Sequence, residues 1–311
     1  MNARTLRSVA LRMLVLAIAC AGLVFAARGV SLADVAKVLR AASGEPVIAL
    51  CPLLLVAGTL LRAARFQAVL GDARAKGPGA GFREVLLSIV VTQAANNVLP
   101  LHAGDLVRTR HFVRFGYAIT AVALAQLGEK LVEGVTLGAW VFPLVLSDER
   151  YRVATKLFAL TLGAVVVVAL TAAVLLRRTL LRPRIDAFLQ RVAAAARNAH
   201  LALAVALAVV ADAVEVALVW VCLRGVGVSS GLTLSLAVFG AVNIATLAPA
   251  TPGNIGTQEA SSALVLIAAG LPRDTALGFA VLYRVVQWVP VTLAGLVAWL
   301  GRDRRIIAEQ P

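Results

Sequence analysis

The sequence predicts an all-α polytopic membrane protein: six full transmembrane helices plus two opposed re-entrant helical hairpins, arranged as an inverted repeat. Three observations carry that prediction. Hydrophobic residues make up 60% of the 311-residue chain, above the share of about 45–50% usual in soluble domains, and the mean hydropathy is +0.89. Two of the long apolar runs are broken by clustered Pro and Gly. Lys and Arg gather in the segments between apolar runs. The net charge of +14 therefore reads as membrane topology and attraction to anionic lipid headgroups, not as nucleic-acid binding.

Taken in order, Met1–Arg12 carries Arg4, Arg7 and Arg12 ahead of the apolar run Met13–Ala27. That run is either a cleavable leader or an uncleaved first span; a membrane-embedded remainder favours the span. Arg28–Glu45 is a mixed-charge loop suited to an interfacial helix. Spans follow over Pro46–Leu70, Tyr117–Leu146, Ala154–Leu176, His200–Leu223 and Thr275–Leu300, the last containing Pro290. Phe82–Phe115 and Leu232–Ala269 are the two broken segments, each read as a helical hairpin. A basic cytoplasmic loop covers 177–199. The whole of 1–311 forms a single membrane domain, with repeats over about 46–146 and 200–300.

Most cations fall on one side if the N-terminus is inside and both hairpins turn back. This arrangement suits a bacterial inner membrane with both termini cytoplasmic. The charges also support the repeat. Arg62 and Arg65 in the first half match Asp212 and Glu215 in the second, and Glu129 and Glu133 match the region of Arg284. The halves look charge-swapped. An unpaired ion at the bilayer centre costs about 2.5–3.5 kcal/mol, so these groups must face one another or water. Arg62, Arg65, Asp212 and Glu215 are expected to form structural ion pairs between the halves.

The breaks are "NNVLPLHAGDLVR" at Asn96–Arg108 and "LAPATPGNIGTQEA" at Leu247–Ala260. They share Pro-x-x-x-Gly-[Asp/Asn], at Pro100…Gly104-Asp105 and Pro249…Gly253-Asn254, and both follow an Asn, Asn97 and Asn243. Irregular backbone at membrane depth survives only against protein or a wet cavity. Helices are expected to restart at Gly104-Asp105 and Asn254-Ile255, offering N-termini to an anion, with Asp105 and Asn254 as their caps. The candidate binding set is Asn96, Asn97, Gly104, Asp105, Arg108, Glu129, Glu133, Asn243, Gly253, Asn254, Gly256, Glu259, Arg284 and Gln287. Arg108 is placed to add a phosphate contact. Three His and three Cys show no metal spacing. No cofactor, no metal and no enzymatic chemistry are expected.

These residues resemble the flippase-like membrane region of the lysylphosphatidylglycerol synthase family. The marks are "RAARFQAVL", "NNVLPLHAGDLVR", the Glu129/Glu133 helix, "PATPGNIGTQEA" and "AVLYRVVQWVPVTLAG". The family often has a second Gly where Asn254 stands. A chain ending at Pro311 looks like the stand-alone form, without the synthase domain. The resemblance implies a lipid translocase that moves an anionic or aminoacylated phospholipid, or a related envelope lipid, between leaflets. Alternatives are a secondary transporter of a small anion and an accessory membrane subunit of an envelope-lipid or glycolipid pathway. Membrane lipids are the expected partners; a homo-oligomer or an envelope-enzyme partner stays open.

Overall fold

The computed structural model describes residues 32–71, 79–99, 103–147, 199–229, 231–246 and 252–308, and among them every regular element is a helix. The expected first span Met13–Ala27, the span Ala154–Leu176 and nearly all of the basic loop over 177–199 lie outside the described residues. We number the α-helices α1 (Leu32–Gly44), α2 (Cys51–Leu70), α3 (Phe82–Val98), α4 (Gly104–Arg114), α5 (Ile119–Ser147), α6 (Ala199–Gly225), α7 (Leu232–Thr246), α8 (Thr257–Ala268) and α9 (Arg273–Ala308). A 3₁₀ turn, Pro46–Leu50, leads into α2 and another, Pro252–Asn254, precedes α8.

Local chemistry sets the boundaries. α3 stops before Pro100, because a residue preceding proline is pushed out of the helical region; Leu99 is extended at φ −94°, ψ 143°. Helices α4, α6 and α8 end alike, with Gly116, Gly227 and Gly270 at positive φ. In each, the next amide reaches back into the last turn: Tyr117 to Phe112, Val228 to Leu223, Leu271 to Leu266. This is the glycine stop that satisfies free helix carbonyls. Pro290 sits inside a continuous α9.

Among the described residues, three stretches are long and apolar enough to cross a membrane: Pro46–Leu70, His200–Gly225 and Arg273–Leu300. The four hairpin helices are not. They have 17, 11, 15 and 12 residues. At 1.5 Å per residue these run roughly 17–26 Å, against a hydrocarbon core of about 30 Å. α4 folds back antiparallel along α3: its first residue, Gly104, presses on Thr92 and Asn96, and His111 near its end lies 3.2 Å from the Glu84 carbonyl at the start of α3.

Each half builds its own core. Phe66 of α2, Val85 and Ile89 of α3, Phe112 of α4 and Val122 of α5 form one. Val219 of α6, Phe239 of α7, Leu266 of α8 and Phe279 of α9 form the other, joined by Leu137 and Val141 of α5. The contacts between elements map onto themselves when the first half is exchanged for the second. α3 packs on α9 as α7 does on α5, α4 on α5 as α8 on α9, and α2 lies against its counterpart α6. The α3–α9 contact is tight because Gly295 has no side chain where a Cβ would strike Ala94 and the Val90 carbonyl, the small-residue packing typical of helices in lipid.

Candidate functional site

The charged residues fall into two networks. The first joins α2, α4 and α5. Arg65, 2% exposed, pairs with Glu129 at 3.1 Å and with Glu133. Arg108 pairs with Glu129 at 2.6 Å and Asp105 at 2.9 Å, and its guanidinium lies 4.7 Å from the Phe66 ring centre. Lys130 adds a 2.9 Å bond to Glu133. Glu129 thus sits between two buried guanidiniums. Removing it would leave both short of countercharge inside apolar packing, which makes it a structural hub.

Arg108 is therefore not open to a phosphate, as the sequence suggested: two carboxylates already hold it and it is 5% exposed. Arg65 also departs from expectation. It turns to α5 and not to Asp212, whose Oδ2 is buried with no hydrogen-bond partner among the described residues. Within that set of four residues the pair that forms between the halves is Arg62–Glu215, at 2.7 Å.

The second network runs through the other half. Glu215 accepts from Asn243 at 3.3 Å and Tyr283 at 3.5 Å; Gln287 donates to the Tyr283 hydroxyl at 2.8 Å, and Gln258 to Gln287 at 2.9 Å. Beside it, Arg284 donates to Glu259 through Nε at 2.5 Å and through Nη2 at 3.2 Å, and to the Gly253 carbonyl at 2.6 Å. The Arg284 and Glu259 side chains are 15% and 14% exposed. Tyr283 and Gln258 were not singled out from sequence, although Tyr283 stands four residues before Gln287, one turn up the same face.

The helix starts also differ from the sequence reading. α4 begins at Gly104 as expected, but the Gly104 amide is capped by the side chain of Asn96, on the preceding helix, at 2.7 Å. Asp105 instead binds Arg108. α8 begins at Thr257, not Asn254. The Pro252–Asn254 turn and left-handed Gly253, Asn254 and Gly256, at φ 59°, 54° and 89°, delay it. Its first free amide, on Gly256, goes to Glu259 at 2.8 Å. Glu259 therefore caps its own helix while holding Arg284.

The two breaks meet. A Cβ on Gly253 would lie 2.9 Å from the Asn97 carbonyl oxygen and 3.0 Å from Trp288 Nε1. Asn97 donates to Thr292 of α9 at 2.8 Å. The Trp288 indole N–H is buried there with no partner among the described residues. Of the candidate residues, Asn96, Asn97, Gly104, Gly253, Asn254, Gly256, Glu259 and Arg284 thus belong to this contact or its rim. Asn243 and Gln287 lie in the adjoining polar chain; Asp105, Arg108, Glu129 and Glu133 form the separate buried network. Among the described residues no group of three His, Cys, Asp or Glu is placed to hold a metal.

A helical membrane protein whose two broken helical segments touch beside a mostly buried ion pair is the class that these features define. Its family follows from the sequence match: residues 12–295 fit the model of the lysylphosphatidylglycerol synthase TM region. The chain belongs to that family, which indicates a role connected with membrane lipids. Comparison with curated proteins finds no match.

Proposed function

We propose that the protein is a non-enzymatic lipid translocase, moving an anionic or aminoacylated phospholipid or related envelope lipid between the leaflets of a bacterial inner membrane. In this reading, six spans and two opposed re-entrant hairpins form an inverted repeat with both termini cytoplasmic. The headgroup enters laterally to the contact between the breaks while the acyl tails stay in the bilayer.

The observation that carries the proposal is the meeting of Asn97 with Gly253 beside Glu259–Arg284. Hairpin helices too short to span would end inside the hydrocarbon, where their free backbone groups need protein or a polar ligand. Arg284 commits three hydrogen bonds to Glu259 and Gly253, which leaves two of a guanidinium's five N–H groups for a headgroup phosphate. The Trp288 N–H, without a partner among the described residues, lies beside it. The Arg108–Glu129 pair holds the first half together, and the second half carries groups placed to change partners as the halves rock.

Vesicles holding the protein and a fluorescent anionic phospholipid test this by the rate at which an outside quencher gains access. Glu259→Gln keeps an acceptor for the Gly256 amide, and Arg284→Gln keeps that cap whole, so both should fold. Each should slow exchange by about tenfold or more, as loss of a charge-assisted bond of about 1.5–3 kcal/mol implies. Wild-type rates in both variants would remove these residues from the path. Movement of a water-soluble anion, indifferent to lipid, would replace the translocase with an anion transporter.

A further inference from the structure

The helices α2 and α6 lie antiparallel: Ile48 meets Gly225, Gly58 meets Val214, and Arg62 pairs with Glu215. Three residues further along α2 is Arg65, and three residues back along α6 is Asp212. The register that pairs Arg62 with Glu215 thus sets Arg65 opposite Asp212. Only the first pair is made. Arg65 has turned aside to Glu129 and Glu133 of α5, and Asp212 Oδ2 is left buried with no hydrogen-bond partner among the described residues.

Asp212 stands midway along the apolar stretch His200–Gly225. Around it stand Thr136 and Glu133 of α5, Arg65 of α2 and Glu215 one turn along its own helix. Arg62 of α2 and Glu129 of α5, on helices packed against α6, are already engaged, Arg62 with Glu215 and Glu129 with Arg65 and Arg108. Tyr283 of α9 bonds Glu215, not Asp212. Among the described residues nothing donates to that oxygen, and an ion left without a partner at membrane depth is costly.

We propose that Asp212 is a proton-binding site that couples lipid movement to a proton gradient, with Arg65 as the arm that reads its charge. With Asp212 protonated, Arg65 stays with Glu129 and Glu133, inside the first half. Loss of the proton makes a carboxylate in register with Arg65, and the guanidinium is drawn across to α6. The ion pair then bridges the halves, as Arg62–Glu215 already does one turn away. Proton release and a change in how the halves are tied become one event. The step involves transfer of a proton to water and no covalent change.

This inference rests on the translocase reading, so its test has one arm that does not. Infrared difference spectroscopy of the purified protein at neutral pH reads the carbonyl stretch of a protonated carboxylic acid. The band should be present in the wild type and missing in Asp212→Asn. In vesicles, one pH unit is a tenfold difference in proton activity. Wild-type exchange driven with and against that gradient should differ by up to about tenfold for one proton per lipid, while Asp212→Asn should give equal rates in both directions. A carboxylic-acid band unchanged by Asp212→Asn overturns the site. So does a gradient response that Asp212→Asn retains, or one the wild type lacks. Wild-type vesicles exchanging no lipid at all would break the translocase reading alone, and the infrared band would then decide whether Asp212 holds the proton.

Discussion

The two halves solve the same problem with opposite signs and to different depths. In the first, the helix after the break supplies the cation and the long helix behind it the anion: Arg108 of α4 and Glu129 of α5, 2.6 Å apart. In the second the signs are exchanged, Glu259 of α8 and Arg284 of α9, 2.5 Å apart. The first pair is 6% and 4% exposed and has further ions packed round it; the second is 15% and 14% exposed and leans on a left-handed turn. Matching positions in the two halves thus hold one ion pair deep among other charges and one nearer the surface. The difference lies in how many fixed charges surround it.

The strongest way to break this contrast is Glu129→Gln. If the first network is structural, the substitution strips charge from between two buried guanidiniums. The expected loss is about 3–5 kcal/mol, the usual cost of removing one partner of a buried pair. Glu133 and Asp105 still hold Arg65 and Arg108, so the lower end of that range applies. Thermal unfolding in detergent should show a large drop in midpoint and poor recovery of monodisperse protein. A wild-type melt would mean that this network is no more structural than the Glu259–Arg284 pair, and the contrast between the halves would disappear.

A smaller effect is expected on the other side of the comparison from Gly253→Ala. Left-handed backbone costs an L-residue about 1–2 kcal/mol, and the added methyl would press on the Asn97 carbonyl and Trp288. The loss should be about 1–3 kcal/mol by the same melt, with helix content kept and lipid exchange slowed. The contact joins the breaks and holds neither core, so the protein should still fold. Unchanged stability and exchange would show that the meeting of the breaks has no functional weight.

What was legible in the sequence was local. Proline and glycine act within a few bonds of themselves, so Pro100, Gly104 and Gly253 announced both breaks and the Gly104 start of α4. The 3.6-residue period put Arg62 and Arg65 on one face, but which of Asp212 and Glu215 each would meet was not legible; Arg62 pairs with Glu215. The period does not say which neighbour a long flexible side chain will choose. Arg65 shares that face, yet Glu129 and Glu133 on α5 offer it two carboxylates where Asp212 offers one. Nor does the sequence reveal that Asn96 caps α4 from the helix before it. That bond exists because α4 folds back along α3, a tertiary fact. The three left-handed residues before Thr257 delayed α8 past Asn254, since each such residue fits a turn and not a helix.

The smallest expected effect sharpens the comparison from inside the first network. Lys130 belongs to it by contact, bonding Glu133 at 2.9 Å, but its side chain is 58% exposed. If depth and not membership decides what an ion contributes, Lys130→Ala should cost little. An exposed pair three residues apart on one helix contributes about 0.2–0.5 kcal/mol. Glu133 keeps Arg65 when Lys130 is gone, so no buried charge is left alone. The melt should shift by a small fraction of the Glu129→Gln effect, and lipid exchange should be unchanged. A loss rivalling that of Glu129→Gln would show that the six charges stand or fall as one unit. Burial would then no longer be the property that separates the Arg108–Glu129 pair from the Glu259–Arg284 pair.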